Sequence, residues 1–80
     1  MEITLSANTP QIVTGLTSNG TYRFFFNSAL DGLLSIQAEN TTDSWSELSA
    51  ASSGVINGLP GTKLRLTSPY DATGQLDLLE

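Results

Sequence analysis

The sequence predicts an all-β fold, a small antiparallel β-sandwich or flattened barrel of about eight short strands. Charged residues make up only 14% of the chain. Serine, threonine and asparagine supply most of the remaining polar residues, and they favour turns and strands over helix interiors. Apolar and polar residues alternate in eight short runs separated by turn-forming residues. These runs cover residues 2–6, 11–16, 21–27, 33–39, 45–48, 55–59, 63–67 and 75–79.

The length of 80 residues indicates one domain, residues 1–80. A domain of this size buries only about 60% of the surface of its unfolded chain, so its stability is expected to be modest. The chain contains no cysteine, and therefore no disulfide can reinforce the small core. We expect contacts with partners to add stability.

The alternation within each run assigns the side chains to two faces, one inward and one facing water. The predicted inward residues are Ile3, Leu5, Tyr22, Phe24, Phe26, Leu34, Ile36, Ala38, Leu64, Leu66, Leu76 and Leu78. The predicted outward residues are Thr4, Arg23, Ser35, Gln37, Lys63, Arg65 and Asp77.

Turn signals support the β assignment. Asn19-Gly20 between two runs predicts a hairpin, and Pro60-Gly61 predicts a type II turn at the corresponding place in the second half. The best helix candidate is the segment of residues 44–51, where serine and aspartate are suitable caps. We predict a strand there, because the segment aligns with the first strand of the chain.

That alignment belongs to an internal repeat. LSANTPQIVTGL begins at Leu5 and LSAASSGVINGL begins at Leu48, so residues 1–40 align with residues 44–80. The repeat predicts two similar four-strand units, each covering the apolar face of the other. It also predicts that Asn57-Gly58 ends a strand or forms a bulge. The alternative is that any two hairpins of a sandwich look alike.

The composition argues against several function classes. Without histidine or cysteine, the usual general base and the best thiolate and imidazole ligands are missing, so we expect no enzyme, no cofactor and no metal site. Asp31 and Asp71 are assigned to turns. Three basic residues and a net charge of −5 argue against nucleic acid. The chain has no leader-like start and no long apolar run, so we expect no membrane association.

Apolar side chains on the outward faces are the candidate contact residues. Phe25 alternates with Phe24 and Phe26, and Leu33 alternates with Leu34. The repeat places Trp45 outward as well. The alternative is that Trp45 enters the core by a register shift, or that Phe25 and Leu33 pack beneath a loop.

The segments ITLSANTPQIVTGLTSNGTYRF, DSWSEL, GLPGTKLRLTSP and GQLDLLE resemble short virion structural proteins of tailed bacteriophages. The resemblance covers most of the chain and implies a capsid decoration or cement protein, or a tail accessory protein, without a cofactor. The implied partners are the major capsid protein or a tail component, and further copies of the chain, a trimer being one form. The implied location is the virion, after synthesis in the host cytoplasm. The alternative is a carbohydrate- or receptor-binding module of a phage tail, with Trp45 and Tyr22 or Tyr70 forming a shallow groove.

Overall fold

The computed structural model describes residues 1–27 and 31–79, and it confirms the predicted small β-sandwich. The described residues form eight strands and no helix, and the segment of residues 44–51 contains a strand as predicted. The strands are β1 (Glu2–Leu5), β2 (Gln11–Val13), β3 (Tyr22–Phe26), β4 (Ser35–Thr41), β5 (Ser44–Ser49), β6 (Ser53–Ile56), β7 (Leu64–Thr67) and β8 (Ala72–Leu78).

The eight strands form two four-stranded antiparallel sheets. Sheet I has the order β1-β8-β3-β6, and sheet II has the order β2-β7-β4-β5. Successive strands alternate between the sheets, apart from β4 and β5, which pair as a hairpin. Eight strands in this order form a jelly roll, and the edge strands are β1 and β6 in sheet I and β2 and β5 in sheet II.

The two predicted turns at Asn19-Gly20 and Pro60-Gly61 do not close hairpins. The Gly20 amide donates to the Thr17 carbonyl at 3.0 Å, and Asn19 has a φ of 63°, so a tight turn is present. This turn carries the chain from β2 in sheet II to β3 in sheet I, and the turn at Pro60-Gly61 carries it from β6 to β7. The hairpin prediction was wrong because the buried Leu16 and Leu59, just before these turns, lead the chain across the core.

The core lies between the sheets, and its residues follow the predicted inward pattern closely. The predicted residues that are buried are Ile3, Leu5, Tyr22, Phe24, Phe26, Leu34, Ile36, Ala38, Leu64, Leu66 and Leu76. Leu78 was assigned inward wrongly, since 49% of its surface is exposed. It lies at the far end of the seven-residue β8, whereas the connected strand β7 in the opposite sheet has only four residues. Five further core residues are Val13, Leu16, Ile56, Leu59 and Ala72.

The two halves of the repeat do not form one sheet each, as was expected. Each sheet contains two strands from each half of the chain, so the expectation that each unit supplies one face was wrong. Exchanging each strand with its counterpart in the other half of the chain (β1 with β5, β2 with β6, β3 with β7 and β4 with β8) converts the strand order of sheet I into that of sheet II, read from the opposite edge. Gly15 and Gly58 both follow a strand with positive φ, 74° and 67°, and Asn57-Gly58 ends β6. Residues 28–30, which the repeat also aligns, lie outside the described part of the chain.

The carboxylates of Asp31 and Asp71, aligned by the repeat, join loops at equivalent places. One oxygen of Asp71 accepts a hydrogen bond from the Ala7 amide at 2.8 Å. One oxygen of Asp31 accepts from the Ser52 amide at 3.2 Å. The Asp71 carboxylate thereby links the β7–β8 connection to the β1–β2 connection. The Asp31 carboxylate links the β3–β4 connection to the β5–β6 connection.

We expect Asp71→Ala to lower the free energy of unfolding by about 1 kcal/mol, because the Ala7 amide loses a charged acceptor at an exposed site. Asp71→Asn keeps a side-chain oxygen and should lose about half as much or less. Urea denaturation of the three proteins measures the difference. Equal losses in both variants would show that this hydrogen bond is not the reason.

Candidate functional site

The three predicted contact residues, Phe25, Leu33 and Trp45, do not form one surface. Phe25 lies on the outer face of sheet I and is 63% exposed. Trp45 lies on β5, on the outer face of sheet II and therefore on the opposite side of the molecule. Leu33 precedes β4 and is half exposed. None of the three side chains enters the core, as predicted, but they do not lie together on one surface.

Trp45 is part of a cross-strand network on sheet II. The Arg65 guanidinium lies over its ring, 4.7 Å from the centroid, a cation–π geometry. Arg65 Nε also donates to Gln37 Oε1 at 2.8 Å. Beside them Lys63 Nζ lies 3.8 Å from Glu39 Oε1. Two of the three cations of the protein are thus engaged within this face, and one side of the indole is covered.

Of the two tyrosines considered with Trp45 for a carbohydrate-binding groove, Tyr22 does not reach the surface. Tyr22 is buried, and its hydroxyl accepts a hydrogen bond from the Thr17 amide at 2.8 Å. Tyr70 is exposed, but it lies in the connection between β7 and β8. Trp45 stands apart from the buried Tyr22, because the two side chains point to different faces of different sheets.

The largest exposed aromatic side chain of sheet I, Phe25, lies beside β6. Phe25 is opposite Ser53 of β6, and Arg23 is opposite Val55 of the same strand. Phe25 and Val55 are 63% and 50% exposed, and they line a shallow groove of about 470 Å³. The other lining residues are Arg23, Phe24, Ser53, Gly54 and Asp77.

The groove carries one cation at its margin. Within residues 1–27 and 31–79, Arg23 forms no ion pair. Asp77, its neighbour on β8, instead pairs with the terminal amine of Met1 at 3.0 Å. An arginine beside exposed Phe25 and Val55 is suited to a protein partner, since arginine and aromatic residues are enriched at interface centres.

The side of the sandwich bounded by β5 and β6 is less closed than the side bounded by β1 and β2. β1 buries Ile3 and Leu5, whereas its repeat counterpart β5 buries no residue and leaves Leu48 37% exposed. A second concavity of about 370 Å³ lies on this open side. It is lined by Phe24, Leu48, Ser49, Gly54, Val55, Ile56 and Asn57.

The two concavities share Phe24, Gly54 and Val55 and therefore form one continuous region around β6. We call it the β6 surface and define it by Phe25, Leu48, Ser53, Gly54 and Val55. It offers apolar side chains and an open strand edge to a partner.

Sequence inspection found only Phe25 of the β6 surface. The missed signal is charge: residues 48–62 contain no charged side chain. An edge strand within such a segment lacks the charges that usually protect exposed edges. The positions of Leu48 and Val55 relative to Phe25 required the pairing of β3 with β6, which links residues far apart in the chain.

Across the described ranges, no three Asp or Glu side chains lie close enough together to hold a metal ion. The same residues include no helix that is long and apolar enough to cross a membrane. Comparison of the chain with protein-family models, with curated proteins and with solved structures found no match.

Proposed function

We propose that this chain is a non-enzymatic structural protein of a bacteriophage virion, and specifically a decoration or cement protein that binds the assembled capsid and stabilises it. The resemblance of its sequence to short virion proteins provides the class. The β6 surface carries the proposal, because it joins exposed Phe25 and Val55 to a strand edge that pairs with no other strand among residues 1–27 and 31–79. Its partners are the major capsid protein and further copies of itself, and its location is the virion.

The character of the β6 surface suits assembly. Apolar side chains gain most free energy when a partner covers them, about 25 cal/mol for each Å² removed from water. Phe25 is an aromatic anchor with most of its surface available, and the neighbouring Arg23 provides a cation for a partner carboxylate. Jelly rolls occur in viral capsid proteins and also in lectins, so the fold by itself does not choose between these roles.

Two observations weigh against the carbohydrate-binding alternative. Stacking on a sugar needs a free aromatic face, but one face of Trp45 is already covered by Arg65. Tyr22, one of the two tyrosines considered for the groove, is buried. Assembly therefore remains the proposal that the exposed side chains favour.

Capsid binding is the test. Purified protein is mixed with undecorated capsids, the capsids are separated from free protein, and bound copies are counted by quantitative gel analysis and electron microscopy. We expect saturable binding. Phe25→Glu should weaken it about tenfold or more, since central aromatic contacts are commonly worth more than 1–2 kcal/mol in binding.

The matched control is Ile12→Glu, which places the same charge on an exposed apolar position of the other sheet. This variant should bind like the unchanged protein. Failure of the unchanged protein to bind capsids, together with glycan-array binding that is lost in Trp45→Ala, would overturn the proposal in favour of carbohydrate recognition.

A further inference from the structure

The four edge strands of the sandwich differ in how well they are protected against pairing. Charged residues, prolines, bulges and short length are the usual protections. β1 carries Glu2, and β2 has only three residues and follows Pro10. β5 carries Glu47 and pairs with β4 through two register shifts. β6 has four residues, as β1 does, but it lacks the other features: Ser53–Ile56 is uncharged, contains no proline and pairs with β3 in an unbroken register.

The backbone of β6 presents a regular set of hydrogen-bonding groups at this edge. The Phe26 amide donates to the Ser52 carbonyl at 2.7 Å, which marks residues 26 and 52 as a hydrogen-bonded pair. Bonded and non-bonded pairs alternate along antiparallel strands, so Gly54 and Ile56 direct their backbone groups to β3. The amides and carbonyls of Ser53 and Val55 therefore point away from sheet I.

We propose that the protein forms a two-fold symmetric dimer in which β6 pairs antiparallel with β6 of a second copy, joining both copies of sheet I into one eight-stranded sheet. With the two-fold axis at Gly54, Ser53 of each copy lies opposite Val55 of the other. Both residues direct their amide and carbonyl groups to this edge, so both pairs are hydrogen-bonded pairs. The backbone groups are compatible with this register, and they exclude registers that place Gly54 opposite Ser53 or Val55.

The side chains on the outer face fit this register. Val55 of one copy lies beside the small Ser53 of the second copy, and Ser53 lies beside Phe25 within its own sheet. The larger Val55 and Phe25 are thereby separated by the small serine along each row of the joined sheet. Gly54 adds no side chain at the axis, and its neighbour inside the sheet is the ring of Phe24. The two β6 surfaces become one patch.

Charge favours a second copy as the occupant. Each chain carries a net charge of −5, so two copies repel each other in most relative orientations. Residues 48–62 contain no charge, and this segment includes β6, the loop before it and all of the loop after it except Lys63. Contact through β6 therefore brings two acidic molecules together along a strand that carries no carboxylate of its own, and the carboxylate at its beginning, that of Asp31, accepts a hydrogen bond from the Ser52 amide. A basic partner would instead be expected to meet an acidic surface.

This inference deepens the self-association included in the proposed function, and it can be tested without capsids. Sedimentation equilibrium over a range of concentrations measures the mass of the unchanged protein and of two variants. The expected mass at high concentration is twice the 8.5 kDa of one chain. Val55→Lys should give a monomer at the same concentrations, because two lysines would be placed at the paired edge.

Ile12→Lys is the matched control. Ile12 and Val55 occupy aligned positions of the repeat, lie on edge strands of different sheets and are both 50% exposed. The control should remain dimeric. A monomeric unchanged protein, a trimer, or a dimer that survives Val55→Lys would each overturn the inference. Circular dichroism verifies that both variants are folded.

The register has its own test, since the chain has no cysteine. Ser53→Cys and Val55→Cys proteins are prepared separately, mixed and oxidised. Directly opposite residues of a bonded pair lie about 5.5 Å apart between Cα atoms, within the range of a disulfide. The mixture should form a disulfide-linked dimer, and neither variant alone should do so to a similar extent. Equal linkage of each variant alone, or no linkage in the mixture, contradicts the register.

A failure of capsid binding with an intact dimer would remove the proposed function and leave the pairing of β6 in place. The reverse result, capsid binding by a protein that is monomeric in solution, would remove only the dimer.

Discussion

Replacing Phe24, Ile36 or Leu66 by alanine is expected to lower the free energy of unfolding by about 2–5 kcal/mol for each variant. All three side chains are buried between the sheets, at most 2% exposed. Truncation removes their burial and leaves a cavity that a small sandwich can fill only in part. A domain of this length has a total stability of about 4–12 kcal/mol, so each loss is a large fraction of it.

Two outward positions provide the contrast. Thr4→Ala and Gln37→Ala should each change the free energy of unfolding by about 1 kcal/mol or less. Thr4 is exposed on β1, and Gln37 loses one hydrogen bond from Arg65. Urea denaturation with fluorescence from Trp45 follows all five variants. A Phe24→Ala protein as stable as the original would mean that the inward face of β3 has been assigned to the wrong side.

The inner faces could be predicted because alternation directly reports burial. In β3, Tyr22, Phe24 and Phe26 occupy alternate positions and are buried. Arg23 and Phe25 occupy the positions between them and are exposed. The start of β8 was missed because Ala72 and Gly74 occupy inward positions. Small side chains give little hydrophobic signal even where they face the core.

The turns show what local chemistry cannot determine. Asn-Gly forms a tight turn wherever positive φ is needed, whether the next strand pairs with the previous one or crosses to the other sheet. Asn19 has the expected φ, yet the strands on either side belong to different sheets. The destination of the chain depends on the burial of Leu16 and Leu59, which is decided by the whole core.

The candidate site was predictable only one residue at a time. Phe25 could be identified as exposed, because its position in the alternation is a local property. Its neighbours Ser53 and Val55 depend on the pairing of β3 with β6, and the cover over Trp45 depends on Arg65 from β7. Pairing between distant strands is a property of the complete fold. Individual exposed residues could therefore be predicted from the sequence, but the surface that they form together could not.

Gly74→Ala is expected to have the largest effect of any single methyl addition in the described sheets, about 3 kcal/mol or more. Gly74 lies in β8, between Ile3 of β1 and Phe26 of β3. A β-carbon at this position would overlap the Phe25 carbonyl oxygen and the Cδ1 atom of the Phe26 ring, and it would lie 2.6 Å from Cγ of the same ring. Overfilling a core commonly costs about 1–3 kcal/mol. Here one of the obstructing atoms belongs to the backbone, which no side-chain rotation can move.

The backbone contribution can be separated from that of the ring. Phe26→Ala removes the obstructing ring but leaves the Phe25 carbonyl in place, so the double variant should be no more stable than Phe26→Ala alone. Gly32→Ala is the matched control: Gly32 has a φ of 81°, and a β-carbon there would meet no atom within 4 Å. Its cost should be limited to backbone strain of about 1–2 kcal/mol. If Gly74→Ala unfolds at the same urea concentration as the unchanged protein, β8 does not lie against β3 in the register described, because in that register the added methyl group has no space.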